Sequence, residues 1–96
     1  MAIASFVFCA VNADIPVPFR SGAVSEEETI AGASAATTAA ATASQGFCEV
    51  TVDTASYVSF GSAPNAGTDQ PRFFMTAGST RYFRVRSGDK GAVIAA

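Results

Sequence analysis

Short runs of alternating apolar and polar residues limit most strongly how this chain folds. In residues 47–53 the sequence FCEVTVD places Cys, Val and Val on one side of an extended chain and Glu, Thr and Asp on the other. A period of two is that of a β-strand with one buried face, and it does not fit the 3.6-residue period of an amphipathic helix. The pattern therefore predicts a half-buried strand at this position.

Further strands are predicted after this one, with turns at intervals of roughly 8–12 residues. They are residues 57–60, the hairpin formed by residues 73–76 and 81–86 around Ala77 and Gly78, and residues 92–95 after a tight turn at 87–91. This spacing is typical of an antiparallel sandwich or small barrel. We predict an all-β fold, a small antiparallel β-sandwich or barrel that is jelly-roll-like, in a single domain of residues 1–96 whose hairpin-rich half is residues 47–96.

The first half of the chain is less regular. Residues 2–11 predict a strand that is apolar on both faces and therefore covered on both faces, one cover being a neighbouring subunit. Residues 12–32 are predicted to be an arm and loop region. Pro16 and Pro18 exclude a helix and a central strand, so residues 12–20 form either an extended arm that offers Ile15, Val17 and Phe19 to a partner or a loop packed on its own domain.

Two polar segments complete this half. Ser25 followed by three Glu residues predicts either an N-cap with an acidic first helical turn or a solvated acidic loop. Residues 33–44, ASAATTAAATAS, are rich in Ala and Thr and lack a stripe of large apolar side chains. We predict an extended segment there, although alanine by itself favours helix.

The charges are few and unevenly distributed. Charged residues make up 15% of the chain, against a typical value of about 25%, which favours surface hidden by another subunit over a monomer with a surface of small residues. Residues 1–53 carry one positive and six negative charges, or −5, and residues 54–96 carry five positive and two negative, or +3, which together give −2. Such a division suits contacts between copies, or neutralisation within one subunit.

Catalytic chemistry finds little support in the sequence. The chain has no His, which is the commonest general base, and no recognisable nucleophile motif. Cys9 and Cys48 either pair in a disulfide or, as we favour, are free buried thiols, and two cysteines alone do not complete a structural zinc site. The apolar N-terminal run lacks a preceding cation and is too short to cross a membrane. We predict no enzyme activity, no cofactor, no metal and no membrane or small-molecule partner.

A basic and aromatic face is predicted on the last strands. Tyr82, Arg84 and Arg86 share one side of their strand, opposite Phe83 and Val85. Together with Arg72 they meet the minimum requirement for a nucleic-acid surface. Because the net charge of the chain is −2 and the face carries few charges, an acidic protein partner is the simpler interpretation, and we predict no nucleic-acid binding.

The C-terminal half resembles small structural proteins of tailed bacteriophages. The resemblance lies in a Tyr-Val-x-Phe-Gly-x-x-Pro-x-Ala segment, a short strand ending in Ala-Gly, a Tyr-Phe-x-Val strand and a Gly-Asp-Lys-x-Ala-Val-Ile close. In this chain these are residues 57–66, 76–78, 82–85 and 88–94. The pattern covers about the last half of the chain, and its residues are also those that many β-hairpin domains use.

The resemblance implies a virion component, of which capsid decoration or cement proteins fit best in size. Such proteins are typically trimers that sit where capsid subunits meet, on the outer surface of a shell assembled in the host cytoplasm. The resemblance thus implies the major capsid protein and further copies of this chain as partners. The partner-binding residues we select are Ile15, Val17, Phe19, Arg72, Tyr82, Arg84 and Arg86. A tail or fibre component is the alternative, and a carbohydrate or host-surface module with Tyr57 and Tyr82 as its stacking platform is a more distant one.

Overall fold

The computed structural model describes residues 2–11 and 18–96. Within these ranges the chain forms strands, turns and loops, without a helix. The strands are β1 (Ile3–Cys9), β2 (Val24–Thr29), β3 (Ala35–Ala36), β4 (Phe47–Val52), β5 (Ser56–Gly61), β6 (Phe73–Met75), β7 (Thr80–Arg84) and β8 (Lys90–Ala95). The predicted all-β class is confirmed. The predicted Pro-containing arm falls largely on residues 12–17, which lie outside the described residues.

The strands form two antiparallel sheets. Sheet 1 has the order β2-β1-β4-β7 and sheet 2 has the order β3-β8-β5-β6. The chain passes from one sheet to the other at most of its connections, and the two inner faces meet in a common core, as in a β-sandwich. Consequently β2 and β7 are the edge strands of sheet 1, and β3 and β6 are the edge strands of sheet 2.

The strand pairs are nested like those of a jelly roll. β5 pairs with β6, β4 with β7 and β3 with β8, so each pair encloses the one before it. The outermost pair is β2 with β1, and β1 occupies the place that a strand following β8 would take in a continuous nest. The fold is thus a jelly-roll pairing in which the last strand stands first in the sequence.

Aromatic rings join the sheets across the core. Phe6 of β1 meets Phe60 of β5 edge to face with 6.3 Å between ring centroids. Phe83 of β7 lies 5.0 Å from Phe60 and 5.1 Å from Phe73 of β6. The alternation predicted for residues 47–53 is confirmed, because the Cys and both Val side chains of β4 are fully buried while its Glu and Thr are only half-buried.

The acidic segment forms neither a helix nor a loop, and both expectations for it were wrong. Residues Val24–Thr29 form strand β2, which pairs along its length with β1. Glutamate has low strand propensity, but the free backbone groups of β1 need a partner and a tertiary pairing supplies it. The predicted arm and loop region therefore contains an edge strand of the sandwich.

The hairpin predicted from residues 73–76 and 81–86 does not exist, although both strands do. β6 pairs with β5 in sheet 2, whereas β7 pairs with β4 in sheet 1. The turn between them carries Gly78 at a φ of 77° and is anchored to β4, because Gly78 N donates to Val52 O over 2.8 Å. The chain changes sheets at this turn, so neighbours in sequence become partners across the core instead of within a sheet.

Other expectations for the first half have mixed outcomes. The N-terminal strand spans Ile3–Cys9, shorter than residues 2–11. Phe6 and Phe8 on its inner face are fully buried, whereas Ile3 and Val7 on the other face are only half-buried, so the cover of that second face stays a prediction. In the Ala/Thr-rich segment only Ala35–Ala36 is a strand, and the remainder is turns and extended chain, without the helix that alanine favours. Cys9 and Cys48 are both free and buried, as favoured. They lie on paired strands, but Cys48 is opposite Phe8 and Cys9 is opposite Phe47.

Candidate partner-binding surface

The outer face of β7 carries two of the residues selected from the sequence. Phe83 of this strand points into the core and is buried, so the side chains at Tyr82 and Arg84 point to the opposite, outer face of sheet 1. Tyr82 is 47% exposed, and Arg84 is exposed as well. Because β7 is an edge strand, these side chains also border the side of the sandwich.

Cross-strand partners on β4 hold both side chains in place. Arg84 lies opposite Phe47, and its guanidinium carbon is 5.6 Å from the centre of the Phe47 ring. Tyr82 lies opposite Glu49, and its hydroxyl donates a hydrogen bond to Glu49 Oε2. This hydrogen bond is the main cause that raises the pKa of Tyr82 to about 12, with burial and the charge of Glu49 as smaller causes. The Tyr82 hydroxyl is therefore a permanent donor near neutral pH.

The other two selected arginines lie elsewhere. The guanidinium carbon of Arg72 is 4.0 Å from the centre of the Tyr57 ring, and its Nη1 donates to Ala66 O over 3.1 Å. Tyr57 belongs to β5 of sheet 2, so Arg72 is not part of the β7 face with which the sequence grouped it. Arg86 is exposed in the turn after β7, and its backbone N donates to Asp89 Oδ2 over 2.9 Å.

The selected residues before β2 are described only in part. Phe19 is 49% exposed, and its backbone N donates to Ala10 O over 2.8 Å, which ties it to the end of β1. Ile15 and Val17 lie outside the described residues. The exposure of Phe19 is consistent with a side chain offered to a partner.

A cleft of about 610 Å³ runs beside the β7 face. Its walls include Phe73, Gln70, Pro71, Tyr82 and Arg84. Asp69 also lines it, but its Oδ2 accepts hydrogen bonds from Ser59 Oγ and Asn65 N, both over 2.9 Å, so this carboxylate holds the loop of residues 61–71 in place. Tyr57 and Tyr82 lie on different sheets and do not form one stacking platform.

Sequence reasoning missed Arg81 and Phe74. The guanidinium carbon of Arg81 lies 5.0 Å from the centre of the Phe83 ring, and Nη1 donates to Phe74 O over 3.3 Å. The alternation contained this signal, because Arg81 has the same parity as buried Phe83. Phe74 is 47% exposed and packs on Tyr57 with 5.5 Å between ring centroids, which no sequence pattern indicated.

Both thiols are buried, and the acidic side chains in the described part of the chain form no metal-binding group. Burial is the main cause that raises the pKa of Cys48 to about 12, and burial also raises the pKa of Cys9, so both thiols stay protonated near neutral pH and are weak nucleophiles. Within residues 2–11 and 18–96, no three His, Cys, Asp or Glu side chains group to hold a metal ion. The same part of the chain has no helix long and apolar enough to cross a membrane.

Comparison with protein-family models, with curated proteins and with solved structures finds no match to this chain.

Proposed function

We propose that this chain is a non-enzymatic structural protein of a tailed-phage virion, a capsid decoration protein that binds across joints between major capsid subunits. The observation that carries the proposal is the β7 face, where exposed Tyr82 and Arg84 stand on an ordered support of Glu49 and Phe47. Tyrosine and arginine are enriched where protein interfaces are strongest. The resemblance of the C-terminal half to phage structural proteins supports the same conclusion.

Binding of this kind stabilises the shell by burying surface across each joint, without a chemical reaction. Each joint gains roughly 25 cal/mol per Å² of apolar surface removed from water, less the entropy lost on association. Tyr82 and Arg84 already contact their cross-strand partners Glu49 and Phe47, and such contacts reduce the entropy lost when a side chain is ordered on binding. Repetition of the same contact by symmetry then strengthens the whole shell. Exposed Phe19, which the sequence groups with Ile15 and Val17, supplies a second contact.

Co-sedimentation with empty capsid shells tests the proposal. The shells are built from the major capsid protein encoded with this chain, and the bound fraction is measured against protein concentration. Arg84→Glu and Phe19→Ala are each expected to weaken binding by about tenfold or more, the equivalent of about 1.4 kcal/mol. Lys90→Glu, which makes the same charge change as Arg84→Glu but on β8 inside sheet 2, is the matched control and is expected to bind normally.

The alternative is a tail or fibre component, which the same exposed face would equally serve. Immunogold labelling of intact virions separates the two, because label on heads supports decoration and label on tails supports the alternative. Normal shell binding by both Arg84→Glu and Phe19→Ala would overturn the proposed contact surface.

A further inference from the structure

The two edge strands of sheet 1 carry opposite charges. β2 contains Glu26, Glu27 and Glu28, and its residues are exposed or half-buried. β7 contains Arg81 and Arg84, both exposed. Each strand is paired on one side only within the described part of the chain, with β1 and with β4 respectively. The negative charge of the first half of the sequence and the positive charge of the second half therefore lie at opposite edges of sheet 1.

The register of the sheet connects particular residues of the two edges. Glu26 pairs with Phe6, Phe6 pairs with Val50, and Val50 pairs with Arg81. A single cross-strand row thus begins at the carboxylate of Glu26 on one edge and ends at the guanidinium of Arg81 on the other. A second copy placed edge to edge without a shift continues this row, and it sets Arg81 of one copy opposite Glu26 of the next, with Glu28 two residues along on the same face.

The strand directions agree with this arrangement. Successive strands of sheet 1 are antiparallel, so β2 and β7 run in opposite directions within one copy. A copy displaced sideways in the same orientation therefore presents its β2 antiparallel to β7 of the first copy, and the sheet continues without a break in its pattern. The lengths match as well, since β2 has six residues and β7 has five.

Charge selects between the possible edge contacts. Two β2 edges would bring six glutamates together, and two β7 edges would bring four arginines together, so symmetric pairing is repelled. Charged side chains on edge strands ordinarily prevent such self-pairing. Only the contact between a β2 edge and a β7 edge brings opposite charges together.

We propose that the β2 edge of one copy pairs with the β7 edge of a second copy, so that sheet 1 continues from copy to copy through Arg81, Glu26 and Glu28. The contact is head-to-tail and produces a ring if the rotation between copies closes, or a filament if it does not. It specifies the copy-to-copy interface of the proposed virion component and in that respect rests on the proposed function.

In a single copy, Glu26 and Glu28 form an acidic pair at this edge. Glu26 accepts hydrogen bonds from Thr38 N over 2.8 Å and Ala39 N over 3.0 Å, and its pKa is lowered, first by a hydrogen bond with Glu28. Burial, followed by the contact with Glu26, raises the pKa of Glu28 to about 7. Among the described residues, the elements packed on this face are β1 and residues 35–39, and their facing residues carry no charge. A guanidinium from the next copy would lower the pKa of Glu28 and release its proton.

The mass of the purified protein, measured against concentration by light scattering and sedimentation, tests the contact without any shell. We expect masses above that of one chain, reduced by salt because exposed charges are screened. Association is expected to strengthen from about pH 6 to about pH 8, since it releases a proton from Glu28. Arg81→Glu and Glu28→Arg are each expected to weaken association by about tenfold or more.

Mixing these two variants provides the sharpest control. The acidic β7 edge of Arg81→Glu then meets the more basic β2 edge of Glu28→Arg, while the unaltered edges still match each other. The mixture is therefore expected to associate more tightly than either variant does alone. Restored association also shows that both variants are folded. Lys90→Glu, with the same charge change as Arg81→Glu in the interior of sheet 2, is expected to associate like the unaltered chain.

Failure of this interface and failure of the proposed function give different results. The edge contact is overturned if the chain stays monomeric up to millimolar concentration, or if Arg81→Glu and Glu28→Arg associate as well as the unaltered chain. Neither result bears on shell binding, which the co-sedimentation assay measures separately. A chain that associates through these edges but ignores capsid shells supports the contact and overturns the capsid role.

Discussion

Ser56 and Ser59 lie on the same strand, β5, and both are fully buried, yet their hydroxyls have different surroundings. Ser59 Oγ donates to Asp69 Oδ2 over 2.9 Å, which connects the strand to the loop of residues 61–71. Ser56 Oγ has no hydrogen-bond partner in the part of the chain that the structure describes. A buried hydroxyl without a partner costs free energy, whereas a bonded one orders its neighbours.

Alanine at the two positions is therefore expected to act in opposite ways. Ser56→Ala should leave the free energy of unfolding unchanged or raise it by about 1 kcal/mol, because it removes an unsatisfied hydroxyl. Ser59→Ala should lower it by about 1–3 kcal/mol, because Asp69 loses a buried partner. Urea unfolding of both variants under one condition makes the comparison. Equal losses at the two positions would contradict this account of the hydroxyls.

At the same scale, single-residue parity predicted part of the candidate surface. The alternation in residues 81–86 correctly put Tyr82 and Arg84 outside and Phe83 and Val85 inside. The same parity applied to Arg81 would have put it on the inner side, where its guanidinium lies near the Phe83 ring. Alternation along a strand predicts on which face a side chain lies. It does not predict which neighbouring strand that side chain contacts.

At the scale of elements, β2 is the clearest case of a tertiary pairing that overrides local sequence. Three consecutive glutamates do not favour a strand, and they form one because β1 has backbone groups to satisfy on that side. The pairing has an electrostatic cost, since it aligns Glu26 and Glu28 on the same face, where burial and the contact with Glu26 raise the pKa of Glu28 to about 7.

Stability is expected to fall as pH rises toward 7 because of this pair. An unfolded Glu carboxyl has a pKa of about 4.3, so between roughly pH 4.5 and 7 the folded chain holds a proton on Glu28 that the unfolded chain has released. Glu28→Gln should remove this part of the pH dependence. Urea unfolding at about pH 5 and about pH 8, at concentrations that keep the chain monomeric, measures it.

Glu27→Gln is the matched control for that experiment. Glu27 neighbours Glu28 in sequence but is exposed on the other face of β2, so its substitution should leave the pH dependence as it is in the unaltered chain. An identical pH dependence in Glu28→Gln and in the unaltered chain would show that the acidic pair is not its source.

At the scale of the whole molecule, the order of the strands in the sequence differs from their order in the nest. Ile30 N donates to Ala2 O over 2.9 Å, and Ala95 N donates to Ala31 O over 2.8 Å. The start of β1 and the end of β8 therefore lie beside two consecutive residues, Ile30 and Ala31. Strand pairing depends on which strands are adjacent in space. We therefore expect the same pairing wherever on the surface the chain begins and ends.

A circular permutant tests this independence. Joining residue 96 to residue 2 with about five Gly and Ser residues, and opening the chain between residues 12 and 17, makes β1 follow β8 and yields a continuous nest. We expect a folded protein with the same circular dichroism spectrum and a cooperative urea transition. A second permutant opened between Val58 and Ser59, inside a strand paired on both sides, is the control and is expected not to fold. An unfolded first permutant would contradict the nesting.

The sequence by itself determined the strands of the second half, their inner and outer faces, the all-β class and the exposed position of Tyr82 and Arg84. These properties follow from the local geometry of an extended chain, in which successive side chains alternate. Only the tertiary structure decided that β6 and β7 belong to different sheets, that Arg72 lies away from Arg84, and that the acidic segment is an edge strand opposite a basic one. Those choices depend on which distant backbone groups must be satisfied and which faces must be buried, and alternation within one strand contains no information about its partners.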